Sequence, residues 1–298
     1  MKKAHCVAAL VIVFILSGAT AWTVSPAPAQ DRQDRHLVRI VLVDGSRLVG
    51  TILEETEDAL RFRTASGVEM LLPRDRIKAV EALPGTVEDG HYVRYDPNRT
   101  RLFFAPTARS QQSGQGYFAL YEIFFPYISV GVGNVAALGG GITLIPGAEE
   151  QLMYGAAKFT LYERRNVALA AGAFAATVTG EDEAAGFVLG VGTFGPPNRA
   201  LTLGIGFGFG DGEFEETPVF LLGGEVQLSN HVKLITENYV MPSVEDAVVV
   251  SGGIRFFGER IAADFALATV PAALDETDGF PFLPWIGFAY NFGRERMH

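Results

Sequence analysis

The 298-residue sequence predicts an all-β protein whose larger part is an antiparallel up-and-down transmembrane β-barrel, and three observations carry that expectation. From Arg101 to Phe292 the chain is a series of apolar segments rich in Gly, Ala, Val and Phe. Most are close to the roughly 9–11 residues that a tilted membrane-crossing strand needs. The connections alternate between tight ones, such as Gly133-Asn134 and Ser229-Asn230, and longer acidic ones, such as PGAEE and DGEFEE. Short turns at one rim and long loops at the other belong to membrane barrels. Large and small residues also alternate within the segments, as in ALTLGIGFGFG at 200–210, and successive strand residues point to opposite faces.

The first residues read as a signal peptide over 1–21: Met1-Lys2-Lys3, an apolar stretch to Leu16, then Ala19-Thr20-Ala21. Such a stretch is too short to cross a bilayer and ends in a small-residue cleavage signal. Ala27-Pro28-Ala29 offers a second cut after 29, and a retained anchor is the alternative. The only cysteine, Cys6, precedes the cut, so the exported chain has neither a disulfide framework nor a catalytic thiol. A net charge of -10 argues against nucleic acid as a partner, because phosphate binding needs clustered Lys and Arg. Residues 22–36 read as a flexible polar lead.

Residues 37–81 hold five short alternating runs with turns at Asp44-Gly45 and Ser66-Gly67, which predicts a small, strongly bent five-stranded β-barrel module. Residues 82–100, with Pro84-Gly85, Asp89-Gly90 and Asp96-Pro97, read as a linker. The barrel is expected over 101–293 with a tail at 294–298, from twelve segments: 101–108, 117–132, 135–145, 151–163, 166–178, 184–194, 199–210, 217–228, 231–240, 246–257, 260–269 and 280–292. Ten strands is the alternative, because 101–108 and the region of Pro126 are the least regular; Glu122 would face lipid unless Pro126 marks a bulge. An even count puts both barrel ends at the tight-turn rim. The uncharged stretch 123–148 is long enough for a membrane helix, but its six glycines and two prolines would cost roughly 10 kcal/mol there.

The glycines at 204, 206, 208 and 210 are expected to face the lumen and make room for side chains of other strands, with Leu203, Ile205, Phe207 and Phe209 toward lipid. The neighbouring segment reads the same way, with Phe187, Leu189 and Val191 on the large face and Gly186, Gly190 and Gly192 on the small one. Strand parity gathers Lys158, Glu225, Gln227, Lys233, Glu237, Arg255 and Asp264 inside. Buried charges must pair or meet water, so they form an ion-pair network that fills the barrel or a polar constriction in a narrow pore. The outer loops place Asp211, Glu213, Glu215 and Glu216 together, with Asp275, Glu276 and Asp278 as a second acidic group. Their oxygens suit Ca²⁺ or Mg²⁺ weakly, but the spacing of a dedicated calcium loop is absent. His231 is the only barrel histidine and falls in a tight turn, so no catalytic set and no cofactor is expected.

Four stretches carry three resemblances. DGSRLVGTI, with the strand spacing around it, resembles the Sm-like and SH3-like small barrels. Sm relatives often bind RNA, an implication that the acidic, exported chain opposes. In GFAYNF, Gly287, Tyr290 and Phe292 are similar to the terminal-strand signal read by the bacterial barrel-assembly machinery, although Trp285 and the trailing GRERMH depart from it. LFFAPTAR and GGGITLIPG resemble stretches of uncharacterised bacterial outer-membrane barrel proteins. The resemblance implies a barrel in outer-membrane lipid with its module in the periplasm. The expected role is non-enzymatic, structural or tethering through a periplasmic envelope component; the alternative is a narrow channel for small solutes or ions.

Overall fold

The computed structural model describes residues 37–164, 166–181, 183–210, 212–242, 247–273 and 280–293. The expected signal peptide, the polar lead, Asp211 and the acidic group at 275–278 lie outside them.

Five strands, β1 (Leu37–Leu42), β2 (Arg47–Glu55), β3 (Ala59–Thr64), β4 (Glu69–Pro73) and β5 (Ile77–Ala82), form the small module in the order β4-β3-β2-β1-β5. Alternate residues Val38, Ile40, Leu60, Phe62 and Leu72 make its core. No pairing joins β4 to β5 among the described residues, so the ladder is an open, five-stranded sheet rather than a closed small barrel. Residues 82–100 are more than a linker. Strands β6 (Gly85–Glu88) and β7 (His91–Arg94) pair across Asp89-Gly90, whose φ angles of 49° and 76° make the turn. Positive φ at both centres is what Asp-Gly hairpin turns supply.

The barrel wall runs through β8 (Gly116–Tyr121), β9 (Phe125–Val132), β10 (Ala136–Ile142), β11 (Leu152–Arg164), β12 (Val167–Val178), β13 (Ala185–Phe194) and β14 (Arg199–Gly210). A two-residue strand, β15 (Glu213–Phe214), folds back onto the end of β14. The wall then continues through β16 (Val219–Ser229), β17 (Val232–Met241), β18 (Ala247–Phe257), β19 (Ile261–Thr269) and β20 (Leu283–Phe292). Antiparallel pairing of β20 with β8 and of β13 with β14 closes the ring at twelve wall strands. Closure leaves no free edge, which lipid requires because it cannot hydrogen-bond one. Leu138, Phe159, Leu203, Ile205, Leu222, Leu234, Phe265 and Phe288 stand outward as an exposed apolar belt, the surface of a transmembrane barrel. Among the described residues no helix is long and apolar enough to cross a membrane.

Two strand assignments differ from the sequence reading, and they offset each other in the count. Segment 101–108 is not in the wall. Segment 117–132 supplies two strands, β8 and β9, joined by a turn in which Glu122 and Ile123 have φ angles of 46° and 68°. Glu122 therefore sits in a turn, its Oε1 accepting Ile286 N at 2.6 Å, and no bulge at Pro126 is needed.

The glycine face of β14 points inward as expected, and β13 shows why. Val191, Leu189 and Phe187 stand opposite Gly204, Gly206 and Gly208 and point inward with them. A Cβ on Gly204 would lie 3.1 Å from both Val191 Cγ1 and Leu221 Cβ. The large residues of β13 thus occupy the room that β14 leaves, and it is Gly186, Gly190 and Gly192 that face outward, the reverse of the reading by size alone.

Candidate functional site: a plugged lumen

After β7 the chain turns into the lumen. Asp96, Asn98, Arg101, Leu102, Phe103, Ala105, Thr107, Ala108, Arg109 and Gln111 are all buried there. The segment doubles back on itself: Leu102 N donates to Ala105 O at 2.8 Å, Thr107 N to Thr100 O at 3.0 Å, and Arg101 bridges Pro106. It returns to the tight-turn rim, where Ser113 N donates to Asn134 Oδ1 at 2.7 Å, before β8 begins. The connection RSQQSGQG at 109–116, which strand alternation with 101–108 as the first wall strand would put at the long-loop rim, is therefore at the tight-turn rim.

Every charged lumen residue read from strand parity touches this plug or a residue bound to it. Asp96 of the plug lies 3.1 Å from Lys233 Nζ and 2.9 Å from Arg255 Nη1. Asp264 takes Arg255 Nε at 2.6 Å and Arg101 Nη1 of the plug at 2.7 Å. Glu225 takes Lys233 at 2.7 Å, with Arg109 of the plug at 3.9 Å. Read across the lumen, the series is Arg109, Glu225, Lys233, Asp96, Arg255, Asp264, Arg101. Charge alternates at every step, with plug residues at both ends and in the middle.

Wall side chains also meet backbone groups of the plug. Lys158 Nζ donates to the carbonyls of Thr107 and Arg109 at 2.9 and 2.7 Å. Glu237 accepts the backbone N–H groups of Phe104 and Ala105 at 3.0 and 3.2 Å. Thr193 Oγ1 accepts Ala108 N at 2.9 Å. Backbone that is neither helix nor sheet needs such partners once it leaves water. Gln227 stands at the rim, donating from Nε2 to Arg94 O at 2.9 Å. Leu102 packs where Gly223 leaves space: a Cβ there would collide with Leu102 Cδ1. Arg101 also lies over the rings of Tyr117 and Tyr121, 5.7 and 5.4 Å from their centres. At the plug's apex Phe104 meets Tyr121, Phe174 and Trp285 edge-on and remains 39% exposed toward the long-loop half of the lumen.

The small module, through Arg39, and the β6–β7 hairpin, through Glu88, Tyr92 and Arg94, hold the tight-turn rim. Arg39 Nη2 lies 2.5 Å from Glu259 Oε1, and Arg94 Nη2 lies 3.6 Å from the same oxygen. Asn230 accepts Arg94 N at 2.8 Å and donates to Tyr92 O at 2.9 Å, while Asn198 donates to Glu88 at 3.0 Å. The hydrogen bond from Arg39 holds the Glu259 carboxyl below its ordinary range.

The remaining expected sites lie apart. Glu213, Glu215 and Glu216 are exposed on the long-loop side, and no group of three His, Cys, Asp or Glu converges on a metal position among the described residues. Gly287 faces inward beside Asp264 and Tyr121, whereas Tyr290 is exposed outward. Phe292 pairs with Gly116, where its ring leaves no room for a Cβ. The plug itself was missed in the sequence, although Asp96, Arg101 and Arg109 around an apolar stretch match in kind the charges expected inside.

No family model and no curated protein matches the chain. Among solved structures it is similar to the KdgM porin in complex with disordered oligogalacturonate, at 7% identity and TM-score 0.46, over 60% of this chain and 98% of that one. It is also similar to the outer membrane protein Omp33 of Acinetobacter baumannii, at 13% identity and TM-score 0.38, over 61% and 96%. A third is the anion-selective porin from Comamonas acidovorans, at 11% and 0.30, over 87% and 97%.

Proposed function

We propose that this protein is a non-enzymatic bacterial outer-membrane β-barrel, closed at rest by residues 96–111 and opening as a narrow channel for small solutes or ions when that segment withdraws. The β module then sits in the periplasm, and Gly287, Tyr290 and Phe292 serve the barrel-assembly machinery. The observation that carries the reading is the ionic character of the plug's seat. A permanent filling is more stable when apolar, since replacing buried ion pairs by packed apolar groups is often neutral or favourable. Here both faces remain compatible with water when parted. The vacated wall would present Lys158, Lys233 and Arg255 beside Glu225, Glu237 and Asp264, and rings of charge set selectivity in pores.

A structural or tethering role is the second reading, favoured by the polar contacts that tie the module, through Arg39, and the β6–β7 hairpin after it to the rim. Single-channel conductance in planar bilayers separates the two. The native protein is compared with a variant lacking residues 96–111 and with Asp264→Asn, each shown folded by heat-modifiable gel mobility. Silence from the native barrel and discrete steps from the variants is the expected result. Steps from the native barrel overturn closure at rest, and silence from all three removes the channel and leaves the tether.

A further inference from the structure

A cavity of about 390 Å³ lies where the small module, the root of the plug and the tight-turn rim meet. Four arginines line it, Arg39, Arg94, Arg99 and Arg260, against two carboxylates, Glu81 and Glu259. Four less two leaves two uncompensated positive charges, in a chain whose net charge is -10. Arg39 is committed to both glutamates, at 3.3 and 2.5 Å. The other three have spare capacity. Arg94 lies 3.6 Å from Glu259 through Nη2 and 3.4 Å from His231 Nδ1 through Nη1, and its Nε is buried without a hydrogen-bond partner. Arg260 donates to the Tyr290 hydroxyl at 3.2 Å and pairs with no carboxylate among the described residues. Arg99 has neither an ion pair nor a side-chain hydrogen bond among them.

Val80, Leu83, Pro84, Pro97 and Tyr117 add apolar surface to a lining that also carries polar groups such as Gln111, Gln115 and Asn291. At a liquid share of about 30 Å³ per water, the space holds roughly a dozen waters. Inorganic phosphate would leave most of it wet and the apolar surface unused. Its size falls within the range of small-molecule sites, which combine apolar walls with a few placed polar groups.

We propose that this cavity binds a small organic polyanion, with its acid groups on Arg94, Arg99 and Arg260 and its carbon skeleton against Val80, Leu83 and Pro97. Such a ligand touches module, plug root and rim together, and binding only the folded arrangement raises its melting temperature. Titration calorimetry on the full-length folded barrel in a zwitterionic detergent tests this, with citrate, glucose 6-phosphate and inorganic phosphate as probes. One organic anion is expected to bind, more weakly as salt rises, and to raise the melting temperature. Citrate against glucose 6-phosphate decides between carboxylate and phosphate as the acid. Arg99→Gln and Arg94→Gln should each weaken binding at least tenfold. Arg61→Gln, on the module surface beside Glu54 and Glu69, should leave it unchanged. No binding of any probe, equal binding by Arg99→Gln, or no preference for the organic anions over inorganic phosphate overturns the proposal.

Discussion

Arg101 and Asp264, a plug residue and a wall residue, pair at 2.7 Å with almost no exposure of either side chain. Because Asp264 also holds Arg255 at 2.6 Å, one carboxylate couples the plug to the middle of the charge series.

Asp264→Asn keeps the shape and removes the charge, so two buried guanidinium groups lose their shared partner. Breaking one side of a buried pair costs about 3–5 kcal/mol. The expected outcome is a loss of that size in urea unfolding, with faster proteolytic cutting between 96 and 111. Combining it with Arg101→Met should recover part of the loss, and a strictly additive double-mutant cycle would show the pair to be uncoupled.

Gly223 tests the plug from its apolar side. Its missing Cβ is the space that Leu102 fills, so Gly223→Leu should crowd Leu102 out, at about 1–3 kcal/mol for an overpacked site. Adding Leu102→Ala should restore the seating. The measurement is the melting temperature of the three variants, together with hydrogen exchange over 100–108.

What was legible in the sequence follows from what each pattern encodes. Turn length alternates along the chain, so the tight Gly133-Asn134 turn, with φ angles of 62° and 61°, was readable locally. The inward charges were readable too, since parity along one strand is enough to collect Lys233 with Glu237. The plug was not, because RLFFAPTA has the length and apolarity of a wall strand, and only three-dimensional pairing shows that β20 takes β8 instead. Which face of β13 looks inward was equally hidden: alternation of Gly with Phe, Leu and Val separates two faces without saying which one meets lipid. The partner's glycines decide it, through the pairing of Leu189 with Gly206.

That pairing gives a graded set of glycine substitutions. Gly204→Val meets Val191 and Leu221 at 3.1 Å, whereas Gly190 faces outward with nothing within 4 Å. Gly204→Val should destabilise the barrel by about 1–3 kcal/mol, and Gly190→Val should stay within about 0.5 kcal/mol of the parent. Gly210→Val, with Ala185 Cβ at 3.8 Å as the nearest atom, should resemble Gly190→Val. Urea unfolding monitored by gel mobility reads all three, and a reversed order would contradict the inward assignment of β14.

Acid should loosen the module from the rim through Glu259. The Arg39 hydrogen bond lowers this carboxyl's pKa in the folded state, with the Coulombic pull of Arg39 and Arg94 acting the same way. A depressed folded value means that the contact's full contribution is present above the unfolded glutamate value of about 4.3 and is lost as pH falls through the lowered folded value. The group is largely exposed, so solvent and salt screen the effect. Docking is therefore expected to be steady from neutral pH to about 5, then to weaken below the ordinary glutamate range. Protease cutting between the module and the barrel, or hydrogen exchange at 85–94, follows it directly. Glu259→Gln should raise cutting at neutral pH to the level the parent reaches in acid and flatten the dependence. A parent and variant with parallel pH profiles would place the acid sensitivity elsewhere, in carboxylates that do not hold the module.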